Sequence, residues 1–444
     1  MCGDVRFGDS AEGGGLVITR IEVLNYRCLR YVSLPLDRFR LLVGPNASGK
    51  STLMDVLTLI RDVLTPEIQV AKAMSERSEG NPLALAWLAK PSEVQLAVEL
   101  APPAGLLPEH PSAAFRYELA INVQAAADPE IAAEALFLYR EGMPRRDRDR
   151  EQRLLFPESA RPPEGILHLD EGRIRNRQKV VSKARDGKDY YQWRVRSGDQ
   201  QPWNQSVYLG RSRAALAYLP VDERDENDPF RKADWVRQFL TRGIVDLHLD
   251  IEALRRPSPP SSERAPLPDG SNMAWAARDL LEQHPAVARE WLQHVGTLIP
   301  ALVDVSTEVR DFDRHCVLRA HYANGAAVPC WLVSDGTLRL LALTLFAYYP
   351  HGPSVYLVEE PENGIHPAAV DGLMGSLSSM WDDQVLVATH SLALLAGAGP
   401  EQVLCFGLGT DGATDITLGE RHPCLVDWQS DWNLADITAS GILA

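Results

Sequence analysis

One octapeptide near the N-terminus constrains the fold more than any other feature of the chain. Residues 44–51 read GPNASGKS and match the pattern GxxxxGK[ST]. The preceding segment, FRLLVG, is typical of a buried strand, and the following one, STLMDVLTLIRDVL, has apolar residues at helical spacing. A strand, a glycine-rich loop and a helix in this order indicate a phosphate-binding loop, because the loop amides and the helix N-terminus attract anionic oxygens.

The chemistry of phosphate binding gives each residue of this loop a role. We expect the loop backbone to cradle the phosphates of ATP, Lys50 to reach the β- and γ-phosphates, and the Ser51 hydroxyl to ligate Mg²⁺. The predicted nucleotide-binding residues of the loop are Gly44, Pro45, Asn46, Ala47, Ser48, Gly49, Lys50, Ser51 and Thr52.

Two acidic residues follow a second apolar segment. SVYLVEE ends in Glu359 and Glu360, and ligands of parallel sheets bind at the carboxyl ends of the strands. We expect Glu359 to hold Mg²⁺, directly or through water, and Glu360 to orient or deprotonate the attacking water. Taken alone, the pair fits a solvated strand end equally well.

A histidine follows a third apolar segment, VLVATHS, at position 390. A lone histidine is more often a structural polar residue than a catalytic one. His390 nevertheless ends a strand that we expect beside the acidic one, where it could contact the γ-phosphate and the attacking water.

The segment WLVSDGTLRLLALTLF (331–346) is mostly apolar but begins with the polar cluster Ser334, Asp335 and Gly336. The pattern predicts a buried helix with Ser334 as its N-cap. The apolar part gives no reason for an acid and a glycine at the start of the helix.

Together, GPNASGKS, SDGTLR, LVEEPENGIHP and ATHS resemble, in order and rough spacing, the motifs of ABC-type ATPase heads of the SMC/RecF/OLD-like group. The opening ITRIEVLNYRCLRYVSLPLDRFRLLVGPN is similar to the start of these heads. The resemblance implies that Glu359 is the Walker B acid, Glu360 and Lys50 are catalytic, and His390 is the switch histidine.

The resemblance also implies that Ser334, Asp335 and Gly336 form a variant signature that contacts ATP held by the opposite protomer, in a head-to-tail homodimer. Two residues depart from the group's usual pattern. Glu359 replaces the commoner aspartate, and Asp335 replaces a small residue and places an anion near a phosphate. Gln69 and Gln95 are candidates for the Q-loop glutamine only by their distance along the chain.

The predicted fold class is α/β, a P-loop NTPase with a mixed core sheet, an antiparallel β subdomain and a helical insertion. Residues 16–43 are predicted to form two strands, and FRKADWVRQFLTRGIVDL (230–247) is predicted to be helical. The predicted segments are a polar tail (1–15), two parts of the ATPase core (16–92 and 301–444), a strand-rich lobe (93–220) and a helical insertion (221–300) with a Pro/Ser-rich linker (255–270).

Composition restricts the partners. A formal net charge of −15 argues against a protein that coats nucleic acid with its whole surface, although the basic stretch 140–196 leaves a local contact with nucleic acid open. No apolar run approaches the roughly 18 residues that span a bilayer. The N-terminus also has no apolar h-region, so we expect a cytoplasmic protein that binds no membrane. The six cysteines contain no CxxC pair, so we expect no zinc site.

Three functions compete. The first is an ATP-dependent switch or sensor for a separate effector such as a nuclease, in anti-phage defence or DNA metabolism. The second is a RecF-like repair ATPase that binds DNA through residues 140–196. The third, a transporter-type ABC subunit, is disfavoured by the strand-rich insertion and by the SDGT signature.

Overall fold

The computed structural model describes residues 17–422 apart from 126, 144–161, 171–175, 184–187, 194–202, 223–227, 229, 379 and 381–382. The predicted tail (1–15) and part of the basic stretch 140–196 therefore lie outside the described residues. Within them, no helix is both long enough and apolar enough to cross a bilayer.

Strands occur along the whole described chain, whereas the described helices lie within residues 50–76 and 231–396. The strands are β1 (Ile18–Tyr26), β2 (Leu29–Pro35), β3 (Phe39–Val43), β4 (Ser92–Leu100), β5 (Ala114–Gln124), β6 (Ala127–Tyr139), β7 (Arg177–Lys183), β8 (Asp189–Trp193), β9 (Trp203–Val207), β10 (Ile244–Leu247), β11 (Leu302–Val309), β12 (Cys316–Tyr322), β13 (Ala327–Pro329), β14 (Val355–Glu359), β15 (Gln384–Ala388), β16 (Val403–Leu408) and β17 (Thr414–Leu418). The helices are α1 (Lys50–Leu64), α2 (Val70–Glu76), α3 (Arg231–Arg242), α4 (Ile251–Leu254), α5 (Met273–Gln283), α6 (Pro285–Leu298), α7 (Asp335–Tyr348), α8 (Pro367–Ser378) and α9 (Leu392–Ala396).

A six-stranded sheet of order β10-β14-β15-β3-β16-β17 forms the core. Its strands are parallel except for β17, which pairs antiparallel with β16, so the predicted mixed sheet is confirmed. Successive residues of β14 alternate between two cores: Val355 and Leu357 pack on the side of α1, and Tyr356 and Val358 pack on the side of α7 and α8. Both faces are covered, which is why the strand sequence is almost entirely apolar.

An eight-stranded antiparallel sheet of order β2-β1-β4-β5-β6-β7-β8-β9 packs on the other side of α1. Here the expectation of two strands in residues 16–43 was wrong, since the chain forms three. The first predicted strand turns back at Arg27 and Cys28, where Asn25 and Arg27 have φ angles of 63° and 48°. An N-Y-R-C turn without glycine or proline gave no recognisable hairpin signal.

The prediction of a helix through residues 230–247 was also wrong at its end. Helix α3 stops at Arg242, and the chain passes through Gly243 into β10, which pairs parallel with β14. A segment of only four residues, here Ile244–Leu247, is too short to be assigned to helix or strand from periodicity alone. Gly243 was the available signal for a break.

The Pro/Ser-rich segment 255–270 packs closely on its neighbours. Ser258 and Cys316 exchange two backbone hydrogen bonds of 2.8 and 2.9 Å. The Trp275 indole donates to the Pro259 carbonyl at 2.7 Å, and the Asn272 amide donates to the Glu263 carbonyl at 2.9 Å. These bonds fix the segment against α5 and β12.

The side chain of Gln384 connects the two large sheets. Its oxygen accepts from the Ile18 amide at 3.1 Å, and its nitrogen donates to the carbonyls of Ile18 and Asp37 at 2.9 and 3.0 Å. Gln384 and Ile18 are fully buried. The amide therefore satisfies backbone groups of β1 that have no access to water.

We predict that Gln384→Leu lowers the free energy of unfolding by about 2–4 kcal/mol, because it leaves a buried N–H and a buried C=O unpaired. Denaturant unfolding followed by circular dichroism measures the change. Gln283→Ala, at the exposed end of α5, is the matched control and should change stability by less than about 0.5 kcal/mol. Equal stability of the two variants would contradict this role for Gln384.

Candidate nucleotide-binding site

The loop after β3 has the shape that a phosphate-binding loop requires. Gly44 and Gly49 have φ angles of 152° and 104°. A Cβ at Gly44 would overlap the Phe406 carbonyl, and one at Gly49 would overlap the Thr414 hydroxyl. Both glycines are therefore needed for close packing against β16 and β17, as well as for backbone conformation.

Lys50 holds the loop closed. Its ammonium donates to the carbonyls of Gly44 and Pro45, each at 2.8 Å. Burial lowers the pKa of Lys50 from its ordinary value, and the charges of Glu360 and Glu359 oppose that shift. The ammonium thus lies in the electrostatic field of Glu360, the predicted general base, and of Glu359, the predicted Mg²⁺ ligand.

The loop also has an unfilled polar position. Ser48 is buried, and its hydroxyl has no hydrogen-bond partner among the described residues. Ala47 has a φ of 63°, in the region where glycine is favoured. A buried hydroxyl without a partner is unfavourable in a finished core but suits a loop whose partner is an anion, so the residues present fit a nucleotide phosphate.

A cavity of about 470 Å³ opens beside the start of α1. Ser51 and Glu359 line it, together with Asp246 and His248 at the carboxyl end of β10 and Arg339 of α7. The two residues predicted to hold Mg²⁺ therefore face one space.

The described residues contain no cluster of three or more histidine, cysteine or acidic side chains that could enclose a metal ion. Proteins usually hold Mg²⁺ through one or two side chains while phosphates and water supply the remaining ligands. Ser51 and Glu359 are the pair that the sequence predicts for this role.

The backbone after β14 turns sharply at Glu360. Its φ is 44°, and its amide donates to the Ala388 carbonyl of β15 at 2.8 Å. The carboxylate is exposed and accepts a hydrogen bond of 2.6 Å from the Asn363 side chain. Glu360 therefore leaves the sheet at a fixed angle, beside the end of the strand that leads to His390.

The end of β15 is fixed by Thr389. Its buried hydroxyl donates to the Glu362 carboxylate at 2.6 Å and accepts from the Ser391 amide at 2.9 Å. His390, between Thr389 and Ser391, is exposed. The hydrogen bonds of Thr389 and Ser391 therefore fix the backbone on both sides of the His390 imidazole.

Helix α7 begins as its sequence predicts, since the Ser334 hydroxyl accepts from the Thr337 amide at 3.3 Å. Asp335 forms an ion pair with Arg255, whose guanidinium also donates to the Trp331 carbonyl at 3.0 Å. Arg255 therefore offsets the negative charge of Asp335 at the start of α7.

Gly336 is explained by a contact within the chain. A Cβ at this position would overlap the carbonyl oxygen of Gly364, in the turn that follows β14. The start of α7 therefore packs directly on the turn that carries Glu360.

The structure brings together Lys50, Ser51, Glu359 and Glu360 at one sheet edge. The contacts of Ser334, Asp335 and Gly336 run instead to Thr337, Arg255 and Gly364.

The two Q-loop candidates lie elsewhere. Gln95 is buried in β4, where it bonds Glu93 and the Ile166 amide, and Gln69 is exposed at the start of α2.

Sequence reasoning missed several residues of this site. Asp246 and His248 were not predicted because the sequence indicates a helix where the structure has β10. Asn363 and Glu362 stand within the recognised motif but received no role. Arg255 could not have been found, because no sequence pattern indicates its approach to Asp335.

A known family matches most of the chain. Residues 40–396 match the family described as "AAA domain, putative AbiEii toxin, Type IV TA system". The match runs from β3 to α9 and so includes the phosphate loop, the acidic strand end and His390.

Two curated relatives match over short segments. An OLD nuclease of Thermus scotoductus is 34% identical over 53 residues, which cover 12% of this chain and 10% of that protein. The uncharacterized protein YbjD of Escherichia coli is 40% identical over 52 residues, which cover 12% and 9%. The matched segments thus span only about a tenth of each relative.

Solved structures with partial likeness are SMC heads. An Smc head bound to the C-winged helix domain of ScpA is 12% identical, with a TM-score of 0.47 and coverage of 90% of this chain and 97% of that one. A Pyrococcus furiosus Smc head with an extended coiled coil, bound to the C-terminal domain of ScpA, is 13% identical, with a TM-score of 0.46 and coverage of 96% and 98%.

Such distant structural likeness gives no information on what this chain binds. The family match is the stronger finding, because it covers most of the chain and every predicted site residue. Residues 44–52, 334–336, 359, 360 and 390 all fall inside 40–396. The chain therefore belongs to the AAA-domain family that carries the AbiEii-type description.

Proposed function

We propose that this protein binds and hydrolyses ATP with Mg²⁺ in a site completed by a second copy of the chain. One observation carries the proposal: a single sheet edge holds the phosphate loop, two acids and the strand end of His390. Lys50 lies within the field of both acids, and Ser51 shares a cavity with Glu359.

The residues divide the work of hydrolysis. The loop amides and Lys50 bind the triphosphate, and Ser51 with Glu359 would hold the metal ion. Bound Mg²⁺ would neutralise charge on the phosphate oxygens. Glu360, exposed beside the loop, orients the attacking water and accepts its proton, and His390 contacts the γ-phosphate from the neighbouring strand end.

A second protomer is proposed because the start of α7 is left open. Ser334 and Asp335 are exposed, and the preceding Trp331 and Leu332 are 43% and 70% exposed. Large apolar side chains beside a helix N-terminus suit a surface that is covered in an assembly. In a head-to-tail homodimer, this surface would face the partner's ATP.

We further propose that the dimer is a switch or sensor for a separate effector protein, such as a nuclease, in anti-phage defence or DNA metabolism. The family description names a type IV toxin system, and one relative is called a nuclease. Both facts support the proposal by analogy. ATP-dependent dimerisation is the physical change that an effector could read.

We predict that Glu360→Gln lowers ATP hydrolysis by at least about 100-fold, because the general base is lost while phosphate contacts remain. The variant should accumulate as an ATP-dependent dimer in size-exclusion chromatography with light scattering.

Two controls define that experiment. Lys50→Ala should bind no ATP and stay monomeric, and Glu420→Gln, at an exposed carboxylate, should match the wild type. A Glu360→Gln protein that binds ATP and remains a monomer would contradict the composite site.

A second prediction concerns the effector. Tagged Glu360→Gln protein with ATP, expressed in its native cell, should retain a specific nuclease that Lys50→Ala does not retain, as measured by quantitative mass spectrometry. The switch proposal fails if neither variant retains an effector and the wild type instead binds DNA in a salt-sensitive way. Loss of that binding in Arg173→Ala, Arg175→Ala and Arg177→Ala would then indicate direct action on DNA.

A further inference from the structure

The turn after β14, residues 360–364, contacts several parts of the proposed site. Its first residue carries the carboxylate of Glu360, and its last carbonyl, that of Gly364, packs on Gly336 at the start of α7. Between them, Glu362 and Asn363 each make a short side-chain hydrogen bond. The functions of these two side chains are not explained by the motif alone.

Asn363 holds the carboxylate of Glu360. Its backbone amide donates to the Glu360 carbonyl at 3.1 Å and closes the turn, while its side-chain amide donates to Glu360 Oε2 at 2.6 Å. Both residues are exposed. An exposed glutamate has several accessible rotamers, so this bond selects one orientation of the carboxylate.

Glu362 contacts the end of β15, the strand that leads to His390. Its Oε1 accepts from Thr389, and the same Thr389 hydroxyl accepts from the Ser391 amide, so the bonds lie on both sides of His390. The second oxygen, Glu362 Oε2, is buried without a hydrogen-bond partner among the described residues. A buried acceptor left unpaired is unfavourable, so stability alone does not account for a glutamate here.

We propose that Asn363 and Glu362 are positioning residues for hydrolysis, Asn363 by orienting the carboxylate of Glu360 and Glu362 by fixing His390 through Thr389. This inference rests on the proposed ATPase function. Neither side chain needs to touch the nucleotide. Small displacements of a catalytic group reduce turnover strongly while leaving substrate binding intact.

The first test replaces Asn363. Asn363→Ala should lower kcat by about 10- to 100-fold. KM and ATP affinity should stay within about twofold of the wild type, and the melting temperature within a few degrees. Asn363→Asp, which exchanges the donor for an anion beside Glu360, should be at least as impaired. Asn81→Ala, at an exposed asparagine before β4, is the matched control and should retain full kcat.

The second test compares conservative and non-conservative variants of the Glu362–Thr389 pair. Glu362→Gln and Thr389→Ser keep an acceptor and a hydroxyl and should retain most of kcat, whereas Glu362→Ala and Thr389→Val should lose about 10-fold or more. The double variant Glu362→Ala/Thr389→Val should be no worse than the poorer single variant, because both break one connection.

Two results would overturn the inference. The first is that Asn363→Ala and Glu362→Ala both keep the wild-type kcat. The second is that Glu362→Gln and Thr389→Ser lose as much kcat as Glu362→Ala and Thr389→Val. These outcomes differ from a failure of the proposed function, in which Glu360→Gln itself would leave hydrolysis unchanged.

Discussion

The register of three parallel strands determines where the chemistry of this protein can occur. In the central sheet, Leu42 pairs with Ala388 and Ala388 pairs with Glu359, so β3, β15 and β14 end at the same level. The loop of residues 44–51, the acids Glu359 and Glu360, and His390 then leave the sheet side by side. A shift of one strand by one residue would reverse its side chains and separate these groups, and the burial of both faces of the sheet opposes such a shift.

Much of this edge could be predicted from sequence because each part is local. A glycine loop between strand and helix, or acids after an apolar run, depends on adjacent residues only. Strand β10 and the β1–β2 hairpin depend on partners far along the chain. Residues 244–247 become a strand because they pair with the edge of β14, and a four-residue segment is too short for periodicity to show that.

The start of α7 shows the same limit at the level of single residues. Ser334 could be predicted as an N-cap because capping involves only the next helical turn. The charge of Asp335 is offset by Arg255, and Gly336 is required by the carbonyl of Gly364. Both contacts join residues that are distant in the sequence. The second contact connects the surface proposed to face a partner with the turn that carries Glu360.

The central claim of the proposed function is that each ATP is hydrolysed in a site formed by two protomers. Mixing two inactive variants, Lys50→Ala and Ser334→Arg, tests this most directly, because a mixed dimer retains one intact site formed by the loop of one copy and the α7 start of the other. At equal concentrations, the mixture should recover ATPase activity to at most about half of the wild-type value, because each mixed dimer has one intact site of two. A mixture no more active than the average of its two parents would contradict hydrolysis between protomers.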